Sequence, residues 1–253
     1  ETFAEFSNGF MELPLVGMIL GSISAVLLPV FSGMDKGDGM SNETLVVWNS
    51  ALLKSAKLIF PMLIFSVFFA EPIMTCMYGD IYAQSSIYFV IKNLSGLFYI
   101  IPFYPIILAI GKTNSYANAH MIAAFMIVMA EYVVCKTFDS AVYVAITSEL
   151  CKLFKIWLLL RVIANYAHKK ITELLPPRPM TILIMISVLA SLPPFLLLDF
   201  LNMNKFIVLF VCLGFFLVDY YVLCWICKVT YRDIAGGFLK NKSRLNAVVK
   251  ILP

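Results

Sequence analysis

The chain has 253 residues, of which 61% are apolar and 13% charged, with a formal net charge of +4. Its mean hydropathy is +0.90. Ordinary soluble domains are about 45–50% apolar, so this composition excludes a soluble globular fold. The small positive charge offers no footprint for a nucleic-acid partner. Continuously apolar runs rather than period-two alternation exclude a membrane β-barrel and predict an all-α, polytopic membrane protein.

Crossing a hydrocarbon core of about 30 Å takes about 20 predominantly apolar residues. Seven stretches approach that length with their flanks: 15–31, 59–70, 86–110, 117–135, 142–163, 180–198 and 206–228. The expectation is a seven-helix transmembrane domain over residues 1–228 and a basic amphipathic tail over 229–253. Between the first two spans, Gly33-Met-Asp-Lys-Gly-Asp-Gly39 reads as a solvated loop, since it lacks the terminal Glu of a calcium loop.

Span two begins with Lys54 and Lys57, which can snorkel to the interface, and holds Pro61, expected to kink it. Span three carries Lys92 and is broken near its end by Pro102 and Pro105. Span four carries Glu131. Span five is the richest, with Glu149, Lys152 and Lys155 at i, i+3 and i+6 on one side of a helix, and span seven carries Asp219. A charge near the bilayer centre costs about 2.5–3.5 kcal/mol on insertion scales. Such groups therefore face a bundle interior or a water path, and span five must turn inward. Glu149 and Lys152 can neutralise each other as helix neighbours. Lys155 then looks to Asp219 or Glu131. A dry structural ion-pair network and a hydrated path both satisfy this pattern.

Lysine and arginine set the orientation. The tail carries Lys228, Arg232, Lys240, Lys242, Arg244 and Lys250. The connection after span five carries His168, Lys169, Lys170 and Arg178, and Lys112 follows span three. That side is expected to be cytoplasmic, with the N-terminus lumenal, and the tail, Lys240, Lys242 and Arg244 included, to lie on anionic lipids. The sequon at Asn42 is silent in this topology. All six cysteines sit in or beside apolar runs and read as small hydrophobes, Cys224-Trp-Ile-Cys227 included. His120 and His168 have no carboxylate or cysteine companions in the sequence, and there is no phosphate-binding loop. No enzyme, cofactor or metal site is expected.

Taken in order, Glu12-Leu-Pro14, Ser50-Ala-Leu-Leu with Phe69-Ala-Glu-Pro72, Ser85-Ser-Ile87, Met129-Ala-Glu-Tyr-Val133 and Lys152 resemble the trimeric intracellular cation (TRIC) channels. The resemblance covers roughly residues 12–152. It implies two inverted three-helix repeats plus a seventh helix, assembled as a homotrimer in the endoplasmic or sarcoplasmic reticulum. It further implies a potassium-permeable pore in each subunit, lined by spans two and five. Ala130 stands where the family has a phosphoinositide-contacting lysine, and the family's helix-bending glycines are missing. A non-conducting subunit of a larger complex and a small transporter use the same kinks and charges. A seven-span receptor shares the orientation but lacks the Asp-Arg-Tyr-like and Asn-Pro-x-x-Tyr motifs.

Overall fold

A computed structural model describes residues 2–33, 39–138, 140–198 and 204–231. The tail residues Lys240, Lys242 and Arg244, with most of the expected tail and the centre of the 33–39 loop, lie outside the described residues. Every regular element described is helical. In chain order these are α1 (Thr2–Gly9), α2 (Pro14–Ser32), α3 (Asn42–Phe68), α4 (Ala70–Tyr78), a 3-10 turn (Asp80–Ser85), α5 (Ser86–Gly96), α6 (Phe103–Ala109), α7 (Thr113–Thr137), α8 (Ala141–Ala167), α9 (Ile171–Leu174), α10 (Pro177–Leu197) and α11 (Lys205–Ile226).

Five stretches are long and apolar enough to cross a membrane: Thr2–Ser32, α3, α7, α10 and α11. The chain is thus an all-helical polytopic integral membrane protein. Two of the seven expected spans do not meet that criterion, for different physical reasons. The third is broken: α5 ends at Gly96, and the chain turns through Leu97–Ile101 before α6 starts behind Pro102. Pro102 supplies no N–H for a helix ladder, so this third span becomes two short helices. The fifth, α8, is one helix of 27 residues, about 40 Å at 1.5 Å per residue. Glu149, Lys152, Lys155 and Arg161 lower its hydropathy.

Helix α3 is the hub. Its middle is buried between α10 on one side and α2 and α5 on the other, with Trp48, Leu52, Ala56, Ile59 and Phe60 inaccessible or nearly so. Gly96 lets α5 close on it, since a Cβ there would meet the Leu63 side chain at 3.2 Å. Helix α8 packs on α5 and pairs with α7. Helix α11 packs on α10 and α4. Outward faces of α7 and α11 carry Met121, Phe125, Val128, Phe210, Leu217 and Val218, all more than half exposed, as lipid-facing positions must be.

Pro61 does not end α3, which continues to Phe68. A proline removes the N–H that the residue four earlier needs, leaving the Lys57 carbonyl without its ladder partner. The Tyr231 hydroxyl donates to that carbonyl at 3.0 Å, and the Lys57 ammonium in turn donates to the Thr230 carbonyl at 2.5 Å. Tyr220 and Tyr231 hydroxyls lie 2.5 Å apart. The segment after α11 is thus fastened to the place where proline opens α3, a satisfaction that backbone inside a membrane requires.

Candidate functional site

Where α5, α8 and the α1–α2 junction meet, the interior becomes polar. Glu149 on α8 is 3% exposed and Lys92 on α5 is 6% exposed, two charges deep enough that each depends on its partners. Lys152 Nζ lies 2.8 Å from Glu149 Oε1 and Lys92 Nζ lies 3.3 Å from the same oxygen. The other carboxylate oxygen, Oε2, accepts from the Ser95 hydroxyl at 2.6 Å and the Tyr99 hydroxyl at 2.7 Å. Glu12, exposed beside α2, reaches Lys92 Nζ at 2.9 Å. Two ammoniums and two carboxylates therefore sum to zero. The Phe10 ring centroid sits 5.2 Å from Lys92 Nζ and 5.0 Å from Lys152 Nζ, and the Tyr99 ring is 5.6 Å from Lys92 Nζ. Aromatic faces at this range attract cations.

Helical spacing builds the cluster. Lys92, Ser95 and Tyr99 are three and four residues apart, so they share one face across α5 and the turn beyond it. Glu149 and Lys152 do the same on α8. Phe10 and Glu12 arrive because the chain bends between α1 and α2. Gly9 permits that bend to pack: a Cβ there would run into the Ser85 carbonyl oxygen.

Lys155 lies one turn further along α8. It has no ion pair among the described residues. It lines a cleft of about 190 Å³ with Tyr99, Tyr104, Tyr116, His120 and Ser24. Tyr99 belongs to both places, donating to Glu149 and walling the cleft. The polar groups thus follow α8 from Glu149 through Lys152 to Lys155, and continue at its end to a wider cleft lined by Asn165 and His168. This strip is the site's principal feature: fixed charges first, then a half-buried cation facing an aromatic-walled opening.

The remaining expected residues stand apart from it. Glu131 on α7 accepts from the Ser148 hydroxyl rather than meeting Lys155. Asp219 is on α11, which packs chiefly on α10 and α4. Sequence spacing paired Lys155 with one of these carboxylates, but α7 presents Glu131 near its far end, beside the start of α8. Glu12, Phe10, Ser95 and Tyr99 touch the cluster and Ser148 touches Glu131, and none of them was among the expected site residues. The shared face of Lys92, Ser95 and Tyr99 was the available signal. Among the described residues no cluster of His, Cys, Asp and Glu has the makings of a metal site.

Fold and site together describe a membrane protein whose inner helices carry a polar strip. No family model matches the sequence, and no curated protein matches it. Among solved structures, the chain resembles the lipid II flippase MurJ in its inward closed conformation, with a TM-score of 0.61 at 16% identity. The match covers 87% of this chain and 45% of the flippase, so the chain spans under half the length of that structure. At such identity the likeness concerns fold. It bears neither on membership of the TRIC family nor on ion conduction.

Proposed function

We propose that this chain forms part of a transporter that carries an amphipathic substrate with an anionic headgroup across the membrane. The observation that carries the reading is Lys155: a cation without a carboxylate partner among the described residues, inside a helix bundle, at the wall of an aromatic-lined cleft. An uncompensated charge there is expensive, and an anionic headgroup supplies what the protein does not. Aromatic walls and a single cation suit a ligand with a ring or chain attached to its charged group better than a bare ion. The fold likeness to a lipid II flippase adds a second, independent support.

The topology that accompanies this reading has seven crossings. The five long apolar stretches supply five, α8 supplies a sixth because its Glu149 and Lys152 pair and face the bundle interior, and the broken α5–α6 pair supplies a seventh. Helix breaks at membrane depth are tolerated where they line a cavity, and Tyr99 and Pro102 at this break do line one. The basic end of the bundle, with Lys112, Lys169 and Lys170, is then cytoplasmic.

The test is reconstitution into liposomes with fluorescent lipid II or fluorescent phosphatidylglycerol, followed by quenching from outside with dithionite. Protein-dependent loss of the protected inner-leaflet signal, reduced at least tenfold by Lys155→Gln, is the expected result. The channel that the TRIC resemblance implies makes the opposite demand. A steady potassium-selective current in a planar bilayer with asymmetric potassium chloride, with no lipid movement, would replace the transporter by that homotrimeric channel. Neither movement nor current would leave the cluster as the ionic core of an accessory subunit.

A further inference from the structure

The transport reading leaves the basic end of the bundle unused. Helices α7 and α8 follow one another closely in the chain and pack along their length, so the start of α7 and the end of α8 lie on the same side. Trp48 Nε1 donates to the Leu174 carbonyl at 2.9 Å, which brings α9 and the first turns of α3 to that side too. Here the helix ends leave two adjoining clefts. One, of about 370 Å³, is lined by Gly39, Lys112, Asn165 and His168 among others. The other, of about 480 Å³, is lined by Asn165, His168, Lys169, Lys170 and Glu173 among others. Asn165 and His168 belong to both. Volumes of this size are those of ordinary ligand sites.

Two features separate this place from a solvated helix end. Its backbone is shaped: His168 caps α8 in the left-handed conformation at φ 52°, and the ring approaches Gly39, where a Cβ would meet its Cδ2 at 3.3 Å. Its cations also stand without an ion pair among the described residues. Lys92 and Lys152 are held by Glu149, and Lys205 at the opposite end is held by Asp80. Lys112, Lys169 and Lys170 have no carboxylate in ion-pair contact among the described residues, and Glu173 is the one acid on the cleft walls.

We propose that these clefts form a docking site for the phosphate headgroup of an anionic phospholipid. Lys112, Lys169 and Lys170 supply charge, the Asn165 amide and His168 ring supply directed hydrogen bonds, and Gly39 keeps the floor low. A lipid is the occupant because the site lies level with the helix ends. The acyl chains continue down the apolar outer face of α7, where Met121 and Phe125 are exposed. Phosphate groups need such convergent donors, and each lysine at an anionic surface contributes about fivefold in affinity.

The experiment uses the purified full chain in detergent and follows thermal unfolding during titration with phosphatidylglycerol, phosphatidylcholine or inorganic phosphate. Phosphatidylglycerol raises the transition saturably in the wild type and phosphatidylcholine does not. Lys112→Gln/Lys169→Gln/Lys170→Gln weakens half-saturation about a hundredfold, from three factors of roughly five. Lys54→Gln/Lys136→Gln/Arg161→Gln removes equal charge elsewhere and leaves half-saturation within a factor of three. If the triple variant does not fold, Lys169→Gln/Lys170→Gln is used, with an expected loss of about 25-fold. Equal saturation in variant and wild type overturns the site, as does the absence of any phosphatidylglycerol effect. Millimolar inorganic phosphate that stabilises as well as the lipid and displaces it overturns the lipid assignment.

Discussion

Glu149 is the residue on which the polar interior turns, and Glu149→Gln is the perturbation that measures it. In the wild type, one buried carboxylate neutralises Lys92 and Lys152 and accepts from Ser95 and Tyr99. The amide keeps the shape, and its oxygen in the Oε2 place still accepts from both hydroxyls, but its NH₂ group then faces the two ammoniums. The cluster changes from neutral to +1, and Lys92, almost wholly buried, retains only the exposed Glu12 as counter-charge. Breaking a buried pair by removing one partner costs about 3–5 kcal/mol. At roughly 2–4 °C per kcal/mol for a chain of this size, the thermal transition in detergent falls by about 10 °C. The second substitution in Glu149→Gln/Lys92→Met restores neutrality and recovers most of that loss, while Lys92→Met alone is destabilising. A Glu149→Gln protein that melts within about 2 °C of wild type would refute the reasoning, because the carboxylate would then not be the counter-ion of two buried ammoniums.

Three further outcomes follow from particular contacts. Tyr231→Phe removes the donor to the carbonyl that Pro61 frees, costing about 1–2 kcal/mol. In a Pro61→Ala background the same change costs little, because the helix bond returns, and a double-mutant thermal cycle reads the difference. Gly9→Ala forces α1 away from the Ser85 backbone, which displaces Phe10 and Glu12. Thermal stability falls while helix content by circular dichroism stays near wild type. In the liposome assay Lys155→Arg keeps most of the transport that Lys155→Gln loses, since the charge rather than the ammonium shape is required.

Much of the polar interior was legible in the sequence, because the cost of an exposed charge in hydrocarbon is large and local spacing fixes the face. Glu149 and Lys152 pair on α8 for that reason, whereas their meeting with Lys92 is made by the packing of α5 on α8. What spacing does not carry is contact between distant segments. Nothing local to Phe10 or Glu12 announces that the α1–α2 bend returns them to Lys92. Nothing near Asp219 shows that α11 packs on α10 and α4. The break near the end of the third span was legible from Pro102 and Pro105, but that the helix already stops at Gly96, five residues before Ile101, was not. Pro61 was read as a kink. Its consequence, the fastening of Tyr231 to α3, depends on a partner 170 residues away along the chain.

Transport along α8 requires a water-reachable polar strip. The most direct test places single cysteines at Glu149, Lys152 and Lys155, with Phe125 on the lipid face of α7 as control, in a background whose six native cysteines are replaced by alanine. Membrane-impermeant methanethiosulfonate reagent is added to the chain in sealed vesicles. Reaction at position 155, slowed by an anionic lipid substrate and absent at position 125, is the predicted result. Protection at 149, 152 and 155 alike would contradict it, and would mean that the buried charges hold the bundle together without opening a route through it.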